Sequence, residues 1–194
     1  MQARQRQSGT RHGITMVESL IAISVTAIAG GALLTSLSAS IQASSHSADV
    51  LVARGLAEQL MDEISATRFP NETDLRTASI YRIDFNDLDD YHNWTSTPPV
   101  DRYGMKLGTE GVVRDEERLP RNDSLSVHAS ELSTFTRTAT VEPVTPDGTG
   151  GWQVTSSATP TRRITVRVFT TDSRSQARLL AELTRIINHV PTSP

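Results

Sequence analysis

Glu18 is the first acidic residue of the chain, and it stands in the stretch RHGITMVESL, four residues after Ile14 and at the start of an apolar run. No other charged residue follows it until after Ser45. A carboxylate in a membrane segment costs on the order of 2.5–3.5 kcal/mol at mid-bilayer and less near an end, so it is expected to have a partner or a role. A second group of oxygen donors is the acidic run DFNDLDDY over 84–91, with Asp84, Asn86, Asp87, Asp89 and Asp90. Hard oxygen ligands of this kind suit calcium. The spacing does not fit an EF-hand loop, because Leu88 stands where a ligand is needed and no glycine makes the turn. The plainer alternative is a solvated acidic loop. Catalytic chemistry is poorly served: His92, His128 and His189 lie far apart, and no HExxH, GxSxG or phosphate-cradling glycine loop is present. The absence of cysteine rules out disulfides, thiolate nucleophiles and cysteine-ligated metal. The chain is therefore expected not to be an enzyme, and Asp147 in Pro-Asp-Gly is expected to be a turn residue.

These groups must be carried by a chain of 194 residues, 37% hydrophobic and 5% aromatic, which has room for one modest aliphatic core. The net charge of −3 gives no overall attraction to nucleic acid, and none is expected as a partner. Arg162, Arg163, Arg167, Arg174 and Arg178 make the C-terminal part locally basic, which outward-facing strand positions explain more simply than DNA binding. Residues 1–13 carry Arg4, Arg6 and Arg11 and no acid. The next segment, 14–41, is long enough as a helix, at about 1.5 Å per residue, to cross a ~30 Å hydrocarbon layer. Its serines and threonines and the Gly30 and Gly31 pair dilute its hydrophobicity, and the glycines serve either as a flexible point or as a packing face. The basic flank predicts a cytoplasmic N-terminus and an extracytoplasmic remainder.

Beyond it, 42–65 continues the helix as an amphipathic segment. Val52, Leu56, Leu60 and Ile64 recur every fourth residue beside Leu51, Ala53, Ala57 and Met61, while Arg54, Glu58, Gln59, Asp62 and Glu63 fill the other face. Pro70 ends it. Residues 66–134 hold no sustained period and are predicted to be mainly a long surface loop, with Tyr91, Trp94 and Tyr103 as a contact surface or a small loop-covered cluster. Residues 135–194 form the sheet region. FTRTATVEPV predicts a strand with one exposed face, and RRITVRVFTT sets Ile164, Val166 and Val168 against Arg163, Thr165 and Arg167. Residues 176–190 fit either a helix, through Leu179, Leu183, Ile186 and Val190, or a hairpin partner. The fold class is α+β: a long N-terminal helix packed on a small C-terminal antiparallel sheet.

The leader ending at Gly13, the hydrophobic Ile14, Glu18 as the fifth residue after that boundary, and an apolar stretch that becomes amphipathic together resemble the class III signal of type IV pilin-like proteins. That family includes the pilins and the pseudopilins of type II secretion systems. The resemblance covers residues 9–65; the family's usual aromatic is replaced by Ile14. It implies that a prepilin peptidase cuts after Gly13 and methylates the new amine of Ile14. It also implies that Glu18 pairs with the Ile14 amine of a neighbouring subunit, setting axial register in a filament. The implied partners are that peptidase, other pilin-like subunits, an inner-membrane assembly platform and the lipid bilayer. The implied location is the inner membrane, single-pass, with the globular domain periplasmic. The loose stripe ARGLAEQLMDEI and the missing cysteine pair resemble a minor pseudopilin more than a major pilin. No cofactor is required, although some pseudopilins bind calcium in a loop, which adds weight to the acidic run. The competing expectation is a singly anchored extracytoplasmic binding domain, calcium-dependent if the acidic run is its site.

Overall fold

The computed structural model describes residues 15–70, 81–108, 127–171 and 176–189. One long helix, α1, runs Met16–Ser65, and its residues fall into two compact units, the first ending at Ser47 and the second starting at Ala48. In the first unit no described residue is buried. In the second, Ala53, Leu56, Ala57, Leu60, Met61 and Ile64 of α1 are buried in the core. Spacings of three and four place these side chains on one helix face, the face the periodicity predicted. Leu51 is the exception at 71% exposure, so the buried stripe begins at Ala53.

The sheet is antiparallel throughout. Its strands are β1 (Trp94–Ser96), β2 (Phe135–Pro146), β3 (Trp152–Val154), β4 (Thr161–Thr171) and β5 (Ala177–Asn188), in the order β1-β2-β4-β5 with β3 also paired to β2. The register sets Ala139 opposite Val166, and Val141 opposite Ile164, along the inner face. These four side chains are at most 1% exposed. Ala53 and Ala57 of the helix and Ala139 of the sheet are all fully buried in the one core. The other face of the sheet carries ion pairs. Arg163 pairs with Glu142, and Arg167 with Glu182, each at 2.6–2.8 Å and each directly opposite its partner in the register.

Of residues 176–190, open between helix and strand in the sequence, Ala177–Asn188 form β5, and Val190 lies outside the described residues. Of residues 66–134, expected to be mainly a surface loop, 71–80 and 109–126 lie outside the described residues. The described part contains two 3-10 turns (Arg82–Asp84 and Leu88–Tyr91), strand β1, and a one-turn helix α2 (Ala129–Leu132). Phe85, Leu88, Tyr91 and Leu132 join the core, and Phe85 meets Tyr91 edge-on at 4.9 Å between ring centres. Trp94 is partly buried against the same core, while Tyr103 is 67% exposed.

Candidate functional site

Of the residues singled out at the N-terminus, Gly13 and Ile14 lie outside the described residues. Glu18 is exposed in the first turn of α1. Its backbone N–H donates to Thr15 Oγ1 at 3.2 Å, so Thr15 acts as the N-cap and Glu18 occupies the third helical position. The spacing T-x-x-E is that of a capping box, of which Thr15 supplies one half. A carboxylate there also faces the positive end of the helix dipole, which favours it by about 0.3–1 kcal/mol at an exposed site.

Several hydroxyls of the helix bond to its own backbone. Ser24 donates to the Leu20 carbonyl and Thr26 to that of Ala22, both at 2.8 Å; Thr35 donates to Ala32 at 2.8 Å and Ser47 to Ala43 at 2.9 Å. A hydroxyl satisfied within its own helix carries little cost in hydrocarbon. The exposed aliphatic side chains of the segment include Leu20, Ile21, Ile23, Val25, Ile28, Leu33, Leu34, Leu37 and Ile41. The helix is long and apolar enough to cross a membrane.

The acidic run is engaged in local structure. Asp87 N-caps the turn Leu88–Tyr91, its Oδ1 accepting from Asp89 N at 2.9 Å, and Asp90 Oδ2 accepts from Asn86 N at 2.8 Å and from Asp87 N at 3.4 Å. Together they close a reciprocal capping box. Burial, with the neighbouring Asp90 charge second, holds the Asp87 carboxyl above its usual value. Asp89 takes both oxygens to Arg162, at 2.8 and 3.1 Å, and Asn86 accepts from Arg68. Asp84 closes the other 3-10 turn. Among the described residues no three His, Asp or Glu side chains gather as a metal cluster. The histidines stay apart in local roles: His92 Nδ1 meets the Val141 carbonyl, His128 caps α2, and His189 stacks on Phe69. Asp147 organises its turn as expected, accepting from Thr149 N, Thr149 Oγ1 and Gly151 N at 2.8 Å, bonds that hold its carboxyl below the usual range.

Sequence reasoning missed the buried arginines. Arg162 does not lie on the outward face with Arg163 and Arg167. It is 8% exposed, faces the core beside Ile164, and lies over the Phe69 ring at 5.0 Å. Arg82 and Arg137 are more deeply placed, at 2% and 1% exposure. Arg82 grips Glu63 through two bonds of 2.9 and 3.1 Å and donates to the Val100 carbonyl at 3.0 Å. Arg137 donates to the Leu56 carbonyl and to Gln59 Oε1, both at 3.2 Å, and also to the Val100 carbonyl. Glu63 and Gln59, assigned to the solvent face of the helix, therefore turn toward these guanidiniums. The Tyr91 hydroxyl donates to Glu63 Oε1 at 3.2 Å. Burial, with the Glu63 charge second, pushes Tyr91 up to about 12; burial, with the Arg82 charge second, brings Arg137 down to about 10. The legible signal was phase. In FTRTATV, Arg137 occupies the same strand face as Phe135, Ala139 and Val141.

Comparison with protein-family models, with curated proteins and with solved structures finds no match to this chain.

Proposed function

We propose that this protein is a membrane-anchored, pilin-like structural subunit, most similar in kind to a minor pseudopilin. It assembles into, or primes, a type II secretion pseudopilus or type IV pilus after its leader is removed. One ordered arrangement carries the reading: a basic leader ending at Gly13, a carboxylate in the first helical turn at Glu18, and an aliphatic helix that continues into a face packed on an antiparallel sheet. The capping by Thr15 supports it physically, because it fixes the first turn and with it the place of Glu18. Cleavage after Gly13 would put a free amine at Ile14, four residues before that carboxylate. A subunit whose acid meets its neighbour's amine makes a head-to-tail contact, and such a contact propagates rather than closes. The N-terminus would stay cytoplasmic before cleavage and the sheet domain would lie on the periplasmic side.

The test is mass spectrometry of the protein extracted from membranes of a host carrying a prepilin peptidase. The expected N-terminus is N-methylated Ile14, and an intact leader or cleavage elsewhere refutes the assignment. With cleavage established, Glu18→Ala is expected to reduce incorporation into filaments at least tenfold while leaving cleavage intact. Unchanged incorporation would remove Glu18 from the register role.

A further inference from the structure

Among the described residues, the pair Arg82 and Arg137 carries more positive charge than its bonded partners balance. Glu63 is the one carboxylate among the described residues bonded to the pair, and it is shared with Tyr91; the other described acceptors are the carbonyls of Leu56 and Val100 and the Gln59 amide. Among the described residues, two guanidiniums against one carboxylate leave a unit positive charge in a site whose cations are 1–2% exposed. An uncompensated buried charge is among the most costly features a fold can hold. Three buried polar atoms also have no hydrogen-bond partner among the described residues: Arg82 Nη1, Arg137 Nε and Ser96 Oγ.

These atoms belong to one neighbourhood. Ser96 is directly opposite Arg137 in the β1–β2 register, so both lie on the inner face. Both arginines donate to the same Val100 carbonyl. Both also flank Trp94, with guanidinium carbons 4.5 and 5.9 Å from the ring centre. The chemistry of the unpartnered atoms is one-sided: guanidinium nitrogens donate and never accept, and a serine hydroxyl can turn its proton to suit. Water placed among them could accept from the guanidiniums and donate to the serine, but it would supply no charge. An anion accepts from donors of this kind and supplies the charge that the described partners leave unbalanced.

We propose that Arg82, Arg137 and Ser96 form a buried binding site for a small monovalent anion of halide size. The burial of both guanidiniums favours a monoatomic ion over a side-chain carboxylate from another protein. Bound there, the ion ties β1 and β2 to the 3-10 turn Arg82–Asp84 and, through Glu63 and Gln59, to α1.

Trp94 reports on the site if Trp152, which is 40% exposed, is first replaced by phenylalanine, because the chain has two tryptophans. In the full chain in detergent micelles at fixed ionic strength, bromide is expected to quench Trp94 with a saturable component that chloride competes away. Replacing gluconate by chloride should raise the thermal midpoint by at least ~3 °C and then level off. Ser96→Ala should keep the fold and raise the bromide half-saturation several-fold, and Arg137→Gln should abolish the saturable component. Because Arg137→Gln could unfold the chain, the titration of the Trp152→Phe chain without further substitution decides the matter: quenching strictly linear in bromide, with a midpoint indifferent to chloride, overturns the site.

Discussion

Glu63 serves two buried groups at once, and this makes it the most informative single residue of the folded unit. It balances Arg82 through a bidentate pair and accepts the Tyr91 hydroxyl. Glu63→Gln keeps the shape and removes the charge. Breaking a buried pair from one side costs about 3–5 kcal/mol, and the 19% exposure of the Glu63 side chain brings the expected loss to about 2–4 kcal/mol. The same substitution has a spectroscopic signature. Tyr91 titrates at about 12 against an ordinary 10.0, so its contribution to stability is fully present below pH 10 and is lost as pH rises through 12. In Glu63→Gln the late phenolate absorbance should move toward, without reaching, the ordinary value, since burial, the larger cause, remains. An unmoved titration would mean that Glu63 does not act on Tyr91. At this scale the sequence was legible where chemistry is local. The Asp147 turn followed from Pro-Asp-Gly, whereas the Arg82–Glu63 and Arg162–Asp89 pairs join residues 19 and 73 positions apart, a separation no local pattern encodes.

Among the elements, α1 and β4 were plain in the sequence because each buries one face against a core, which imposes a clean period. Strand β5 was not. It pairs on one side with β4 and forms the end of the strand order, so its outward residues include Leu179 at 47% exposure and Ile186 at 37%. A register shift between Val168 and Phe169, where Ala181 and Leu179 are the successive partners, breaks its alternation at Leu180. Apolar residues on both faces blur period two, and the remaining spacing imitates a helix. The strand makes a prediction that a helix would not. Leu183, opposite Val166 on the inner face, is packed against the core, whereas Ile186 lies opposite Arg163 on the outer face. Leu183→Ala is expected to cost about 1.5–3 kcal/mol and Ile186→Ala less than about 1 kcal/mol in thermal or denaturant unfolding. Equal losses at the two positions would contradict this register. The region 82–106 was hidden for a different reason. Its two 3-10 turns and three-residue strand are too short to show a period, and Phe85, Leu88 and Tyr91 reach the core from turns rather than from a patterned element.

For the molecule as a whole, burial divides the chain as the composition does, with the uncharged segment ending at Ser45 and the second compact unit starting at Ala48. Every described core residue, from Ala53 to Val168, belongs to that second unit. Its stability should therefore be independent of the apolar segment. A chain beginning at Ser47 loses no buried side chain among the described residues. It does create a new helix end with unpaired N–H groups, but Ser47 can cap them and Asp49 lies in the first turn, where negative charge is favoured; each effect is worth about 0.3–1 kcal/mol. For a unit of this size 1 kcal/mol moves the midpoint by roughly 2–4 °C, so the shortened chain should unfold within ~4 °C of the full chain in detergent. It should do so in one transition and remain soluble without detergent, because the aliphatic surface of residues 16–41 is gone. A midpoint lower by more than ~10 °C would show that the apolar helix stabilises the sheet unit. Equal midpoints would assign the two units separate tasks: the apolar helix holds the membrane and the proposed Glu18 contact, and the sheet unit presents a folded surface whose integrity depends on Glu63, Arg82 and Arg137.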